Sequence, residues 1–351
     1  MEHAVTRYRC THLAEALQVE GHTADVTWIG APVIRIDHDI VVLHRICANR
    51  EGIALADAVE RSGATLIYGT DDIVFDANTP GVPSFLHGHA PLHATMLRRA
   101  HAALTSTDRL ADAVRVLQPV VRTVPNVPGK QLIALSNAAR TRRTIHHQPR
   151  VAYLSGSATH NADFALLEQS LAAPLSRGDF QLRLVGEVAL PRELADSARN
   201  IQRYPIVPWT ELPDLLSNIS VNLAPLESTP FNAGKSAIKW QEAALVGVPT
   251  AASDFGPYAD SIRHNETGLL ASDPDAWKRN ILWLCKNPKE GIVLAEAARY
   301  RILALSAALP EQAAATLYEF SEFSQETRKP VVFRNSHGFV KSVAKKALGR
   351  A

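Results

Sequence analysis

The residues best suited to chemistry lie between Pro230 and Tyr258, where Lys235, Lys239 and Glu242 recur at helical spacing between a loop and a small-residue strand. Asn232 is a good N-cap, Gly247 a good C-terminal stop, and Pro249 forbids continuation, so the pattern predicts one helix from Asn232 to Gly247. On a 3.6-residue period Lys235, Lys239 and Glu242 fall near one face, while Ile238, Ala243, Leu245 and Val246 supply most of the apolar side. Free N–H groups at the helix start, the helix dipole and the Lys235 ammonium together make an anion site that suits phosphate. Glu242 lies two turns on, roughly 10 Å along the axis at 1.5 Å per residue. That span suits a diphosphate at one end and a ribose diol, accepted by a carboxylate, at the other. A solvated Lys/Lys/Glu face on a surface helix is the alternative. Against it stands the continuation: Pro249 to Ser253 is a small-residue strand, and Asp254 to Tyr258 is a loop. The backbone of Phe255, Gly256, Pro257 and Tyr258 can approach a ligand there, at the carboxyl end of a strand.

These residues need a scaffold of parallel strands and crossover helices, and the rest of the chain supplies its pattern. In the first half the strand candidates are residues 24–29, 39–43, 65–68, 102–106 and 120–124. The helices fit residues 8–20, 50–62, 91–99 and 107–117. The second half repeats the plan with strands at residues 151–154, 181–185, 201–206, 221–224 and 248–252. A length of 351 residues exceeds the usual single domain, and 46% hydrophobic residues suffice for two cores. Thirty-seven basic against 35 acidic residues leave a net charge of +2, which gives no case for nucleic acid as a partner. Cys10, Cys47 and Cys285 show neither C-x-x-C spacing nor a disulfide framework, as expected of a cytoplasmic protein. No apolar h-region opens the chain, and no stretch approaches the ~20 apolar residues needed to span a bilayer.

The run from Phe231 to Tyr258, continued by Asn265-Glu-Thr-Gly-Leu-Leu270, resembles the C-terminal donor-binding domain of GT-B glycosyltransferases of the large group 1, GT4-like family. Glu242-Ala-Ala-x-x-Gly-x-Pro249 is similar to the second half of that family's Glu-x7-Glu signature. The first glutamate would fall at Gly234, where this chain has only Lys235 as a charged neighbour. The resemblance covers residues 151–285 well and residues 8–126 more loosely. It implies an α/β GT-B fold, two tandem Rossmann-like domains with an interdomain cleft, and transfer with retention of anomeric configuration. It also implies a nucleotide-diphosphate sugar as co-substrate, with no further cofactor and no metal. The expected organisation is an acceptor-side domain over residues 1–126, a linker over 127–150, a donor-binding domain over 151–308, and a helix with a basic tail over 309–351. Tyr8-Arg9 already sits where the first helix should begin, so either the usual first strand is absent or the start is late.

Strand ends supply the other candidates, since they face the crevice in this architecture. The turn Ser155-Gly-Ser-Ala-Thr-His160 resembles the family's pyrophosphate-side loop, which gives Ser157, Thr159 and His160 donor roles; His160 fits a local role at a helix start equally well. Ile206-Val-Pro-Trp209 resembles the loop that meets the nucleobase, which brings in Val207 and Trp209, with interface packing as the alternative for Trp209. In the first half, His44 and Arg45 follow one strand and Asp71 and Asp72 another; Arg9 opens the first helix. Arg9, His44 and Arg45 are assigned to the acceptor side. Adjacent carboxylates at a strand end can bind sugar hydroxyls and one can assist deprotonation of an acceptor; an Asx turn or helix cap is the competing reading. Asp37-His38-Asp39 precedes a strand and is a decoy for a metal-dependent enzyme. His87, His89 and His93 have metal-like spacing, with a mobile acceptor loop the better reading.

The tail from Val331 to Ala351 carries Arg334, Lys341, Lys345, Lys346 and Arg350 and no acid, which suits either peripheral contact with an anionic inner leaflet or a solvated end. The functional expectation is therefore a glycosyltransferase using a nucleotide sugar and a saccharide or lipid-linked acceptor in polysaccharide or glycoconjugate synthesis. A nucleotide-sugar epimerase on the same fold and a catalytically silent partner subunit are the alternatives.

Overall fold

Parallel strands cannot be joined by tight turns, so each must be followed by a crossover that packs back onto the sheet. The computed structural model, which describes residues 4–31, 34, 36–156 and 160–327, contains two all-parallel sheets built in this way. The first holds β1 (Ile40–His44), β2 (Thr65–Gly69), β3 (Ala102–Thr105) and β4 (Val121–Thr123), side by side in chain order. The second holds β5 (Arg150–Ser155), β6 (Gln181–Gly186), β7 (Ile201–Tyr204), β8 (Val221–Ala224), β9 (Thr250–Ser253) and β10 (Leu269–Ala271), in the order β10-β9-β8-β5-β6-β7. The fold is α/β with two tandem sheets, as the alternation implies.

Sequential order in the first sheet sends every crossover the same way, so helices Arg50–Ser62, Ala90–Arg99 and Asp108–Arg115 cover one face. Strand alternation then divides the core in two. Leu66, Tyr68 and Ala103 pack with those helices, while Ile67, Ala102 and Leu104 point the other way. The other face is closed by Leu13 and Ala16 of helix His12–Val19 and by Leu309, Ala313 and Phe320 of the helix Pro288–Thr327. That 40-residue helix packs on the second half through Leu294, Ala298 and Ile302 before it reaches the first sheet, so it crosses the position where the sequence separates a terminal helix at 309. In the second sheet the chain runs from β5 outward through β6 to β7, then returns to the other side of β5 as β8. The crevice of an open α/β sheet opens at this reversal, outside the carboxyl ends of β5 and β8.

Several expectations need correction. Residues 24–29 form no strand: they are mostly exposed, and β-rich composition counts only where a pleated surface is there to pack on. Between residues 127 and 150 the structure has the helix Lys130–Arg140, whose Leu132, Ser136 and Ala139 are buried. The single helix expected from Asn232 is two helices, Pro230–Ala233 and Ile238–Leu245, separated by a turn. The cap of the first is Thr229, whose hydroxyl accepts from the N–H of Asn232, while Asn232 itself donates to the Glu227 carbonyl at 3.0 Å. β10 has too short an apolar run to stand out from the loop around it.

Those two short helices lock onto the first half. Phe231 is buried in the core of the first sheet's helical face, and its N–H donates to the Pro80 carbonyl at 3.2 Å. The Thr107 hydroxyl donates to the Gly234 carbonyl at 2.8 Å, Asn126 donates to Ser236 at 3.1 Å, and Gln241 donates to the Asn126 carbonyl at 2.9 Å. Truncating Phe231 to alanine is expected to cost about 3–5 kcal/mol, the usual price of deleting a buried aromatic side chain. Equilibrium denaturation checks it, and a loss below about 1 kcal/mol would show that Phe231 does not couple the two halves.

Candidate active site

At the β5/β8 reversal the chain places a cationic cluster over aromatic faces. The Lys239 ammonium lies 4.3 Å from the centroid of the Tyr153 ring on β5, and that of Lys235 lies 4.9 Å from the Phe231 ring. Asp163, on the helix Asn161–Ala165 that follows β5, bridges the crevice: one oxygen accepts from the Glu227 N–H at 2.8 Å and the other meets His160 at 2.9 Å. Burial works against the Lys239 charge and brings its pKa down to about 8, with Asp163 and Glu242 opposing that fall. His160 stays below the usual imidazole value, because its bond to Asp163 is outweighed by burial and by the ammonium groups of Lys239 and Lys235. Lys235 lies in the turn before helix Ile238–Leu245, not in its first turn, so it stands beside the helix and not on its expected face. Ser157 and Thr159 lie outside the described residues.

Phe255, Gly256, Pro257 and Tyr258 follow β9 as expected, but Gly256 already opens the helix Gly256–Ser261. Its φ is +52°, and a Cβ there would come within 3.2 Å of Ala233 Cα, so only glycine allows this helix to sit against the Pro230–Ala233 segment. Tyr258 is buried, and Phe255 is half-buried. A Cβ at Gly234 would point at Leu110 of helix Asp108–Arg115. The place of the signature's first glutamate therefore faces Leu110 on the first half's helix in this chain.

On the facing side, the loops after β1 and β2 bring His44, Arg45, Asp71 and Asp72 together. Asp71 lies 3.3 Å from His44 Nε2 and 3.5 Å from Arg45 Nη1, and the same Arg45 atom donates to Asp72 at 3.2 Å. Arg45 is held at φ +53°, an unusual backbone state for a residue with a side chain and one that aims the guanidinium at both carboxylates. Burial alone would raise Asp71, but His44, Arg45 and Arg9 outweigh it and hold its carboxyl below the usual carboxylate value. Asp72 moves the other way: burial and the Asp71 charge hold it above that value, although Lys235 and Arg45 pull it down. Lys235 thus belongs electrostatically to both sides of the cleft. Beside this cluster a cavity of about 390 Å³ opens between Ile73, Thr79, Arg109, Asp112, Pro230 and Gly234.

Other assignments land differently. Arg9 is buried and donates to the carbonyls of Val124 and Thr105 and to Asn126, so it ties the N-terminal helix to the ends of β3 and β4. His38 pairs with Asp37 through one ring nitrogen and with Asp25 through the other. His93 contacts Cys47 and Tyr68, while His87 reaches the Val82 carbonyl, so the three histidines do not converge. Val207 and Trp209 lie in the loop beyond β7, both half-buried. Glu242 has the least expected surroundings: one oxygen accepts from Arg7 Nη2 at 3.0 Å and from the Tyr8 hydroxyl at 3.1 Å. Arg7, Tyr8 and Asp163 are the residues that sequence reasoning missed. Asp163 carried a local signal in the turn after β5; Arg7 and Tyr8 carried none, being 235 and 234 positions from Glu242.

Two parallel sheets facing one another with a crevice at their carboxyl ends define the GT-B architecture. Residues 148–287 match the family model of the group 1 glycosyl transferases. Among solved structures, the chain is similar to Anabaena HepE in complex with UDP and glucose, with 14% identity, 90% of this chain and 83% of that chain covered, and a TM-score of 0.61. It is also similar to sucrose-phosphate synthase from Thermosynechococcus elongatus (16% identity, 80% and 73% covered, TM-score 0.55). A third is S. aureus TarM, solved with UDP and α-GlcNAc-glycerol (13%, 77% and 53%, TM-score 0.54). No curated protein matches the sequence. The chain thus has the GT-B fold, and its second half resembles the group 1 glycosyl transferases.

The Lys239 environment sets a pH dependence. Its ammonium is charged below about 8 and neutral above, so affinity for a nucleoside diphosphate is expected to fall as pH rises through about 8. Lys239→Arg stays charged and should flatten the profile. Calorimetric titration with UDP between about pH 7 and 9 reads it, and a flat profile in the unaltered protein would remove Lys239 from the anion site.

Proposed function

We propose that the protein moves a sugar from a nucleoside diphosphate donor, with UDP the first to test, to a saccharide or lipid-linked acceptor hydroxyl, with retention and without a metal ion. The observation that carries this reading is the pair of lysines at the β5/β8 crevice, Lys239 over Tyr153 and Lys235 over Phe231, with the carboxylates Asp71 and Asp72 gathered by Arg45 on the facing side. Transfer releases a diphosphate that gains negative charge in the transition state, and two ammonium groups fixed in a partly dehydrated crevice stabilise that charge more than they stabilise the ground state. Residues 151–308 act as the donor side and residues 1–126 as the acceptor side. Glu242 accepts the ribose hydroxyls, Trp209 and Val207 meet the base, and the segment from Phe255 to Tyr258 lines the phosphate end.

On the acceptor side, Asp71 is fixed by His44 and Arg45 and serves to hold hydroxyls. Asp72 is the more basic of the two carboxylates and takes the proton of the attacking hydroxyl, and Arg45 keeps both in place. The UDP and UDP-glucose of the Anabaena structures and the saccharide of TarM support this class of donor and acceptor. A role in polysaccharide or glycoconjugate synthesis on the cytoplasmic face of the membrane is consistent with the basic tail, which lies outside the described residues. Among those described, no helix is long and apolar enough to cross a membrane.

Lys235→Ala is expected to lower turnover by roughly 10²-fold or more, the scale of losing one preorganised charge stabiliser. Steady-state kinetics with UDP-sugars decide it, and unchanged kinetics in the variant would remove Lys235 from the site. Activity should also survive EDTA; loss on chelation with recovery on adding magnesium or manganese would replace the lysine-based account of leaving-group stabilisation.

A further inference from the structure

The Arg7 guanidinium occupies the space between the two parts of the nucleoside site. Its carbon lies 5.1 Å from the Trp209 ring centroid and 5.2 Å from that of Tyr8, and Nη2 is 3.0 Å from Glu242 Oε1. The Tyr8 hydroxyl donates to the same Oε1, so both bonds fall on one carboxylate oxygen. Arg7 is only 3% exposed, and its Nε is buried with no hydrogen-bond partner. Burying a guanidinium with an unsatisfied N–H is costly. A pair that served only to join the two halves has cheaper solutions on this chain, such as the Arg109–Asp260 pair, whose two bonds are made in solvent.

We propose that Arg7, assisted by Tyr8, is a positioning residue for nucleotide binding: the two clamp Oε1 of Glu242 and leave Oε2 to accept the ribose hydroxyls. This rests on the reading of Glu242 as the ribose acceptor. Glu242 is bonded to Arg7 and Tyr8 of the turn Arg7–Thr11 that precedes helix His12–Val19, and it feels the charge of Lys239 on its own helix and lies within electrostatic reach of Tyr258 on the helix after β9. Burial pushes its carboxyl above the usual value, and Arg7 is the foremost group opposing that rise. Removing Arg7 therefore raises the Glu242 pKa further, and the carboxyl takes up a proton as the pH falls. A protonated Glu242 offers ribose a weaker acceptor than the carboxylate.

Calorimetric titration with UDP tests the arrangement in Arg7→Met, Arg7→Lys, Tyr8→Phe, Glu242→Gln and the Arg7→Met/Glu242→Gln double variant. Arg7→Met is expected to weaken UDP binding about tenfold near pH 7.5, the scale of one charge-assisted bond. Its deficit relative to the unaltered protein should widen as the pH drops to about 6, and Arg7→Lys should narrow it again. Tyr8→Phe should weaken binding about threefold, as befits one neutral donor. In the Glu242→Gln background, Arg7→Met should have little further effect, because both changes act through one carboxylate. Normal UDP affinity in Glu242→Gln would overturn the ribose reading and this inference with it. Weak binding in Glu242→Gln beside normal binding in folded Arg7→Met would overturn the positioning role alone. Should Arg7→Met fail to fold, Tyr8→Phe decides, and unchanged affinity there counts against the clamp.

Discussion

Every ionic group in the cleft is drawn out of water by two sheets facing each other, and each must find an opposing charge, a π face or a ligand there. That constraint explains the pattern of partners. Lys239 lies over Tyr153, Lys235 over Phe231 and within reach of the Asp72 charge, and Arg7 between Tyr8 and Trp209 while bonded to Glu242. Arg7 is paired with a close carboxylate, whereas the two lysines rest on aromatic faces. Where a carboxylate pair is present, at Asp71 and Asp72, a single guanidinium bridges both, and their unequal surroundings push the two groups apart in acidity.

The facing of the sheets is itself held by elements far apart in the chain. The Pro288–Thr327 helix serves both cores, and Phe231 leaves the second half to fill the first. Asn126 receives from Gln241, donates to Ser236 and accepts from Arg9, so one side chain and its carbonyl gather three segments at the point where the halves meet. The N-terminal helix is part of the same system: Arg9 holds it to the ends of β3 and β4, while Arg7 and Tyr8 reach over to Glu242. The first sheet and the surroundings of Glu242 thus share one N-terminal segment.

Much of this was legible without coordinates. Periodicity marked the strands around Ile40, Thr65, Ala102, Val121, Val151, Gln181 and Val221, because buried parallel strands need continuous apolar runs. It also marked helix Arg50–Ser62, whose Asn49 cap and Gly63 stop are local features. Lys239 and Glu242 shared a face because helical geometry requires it. The errors have equally local causes. Asn232 is a good cap by type, yet Thr229 three residues earlier took the role once Pro230 set the first turn. The chain at Val26 and Trp28 has strand-like composition but no sheet edge to join.

The sequence by itself determined the alternation of strands and helices, the α/β class and the identity of the cationic helix with its carboxylate, since each depends on neighbours within a turn or two. Tertiary structure alone decided which groups meet across the cleft: Arg7 with Glu242, Thr107 with the Gly234 carbonyl, and Gly234 with Leu110. Those pairings depend on how two separately folded sheets dock. Docking is governed by the summed fit of side chains scattered along the chain, which leaves no periodic trace in any one segment.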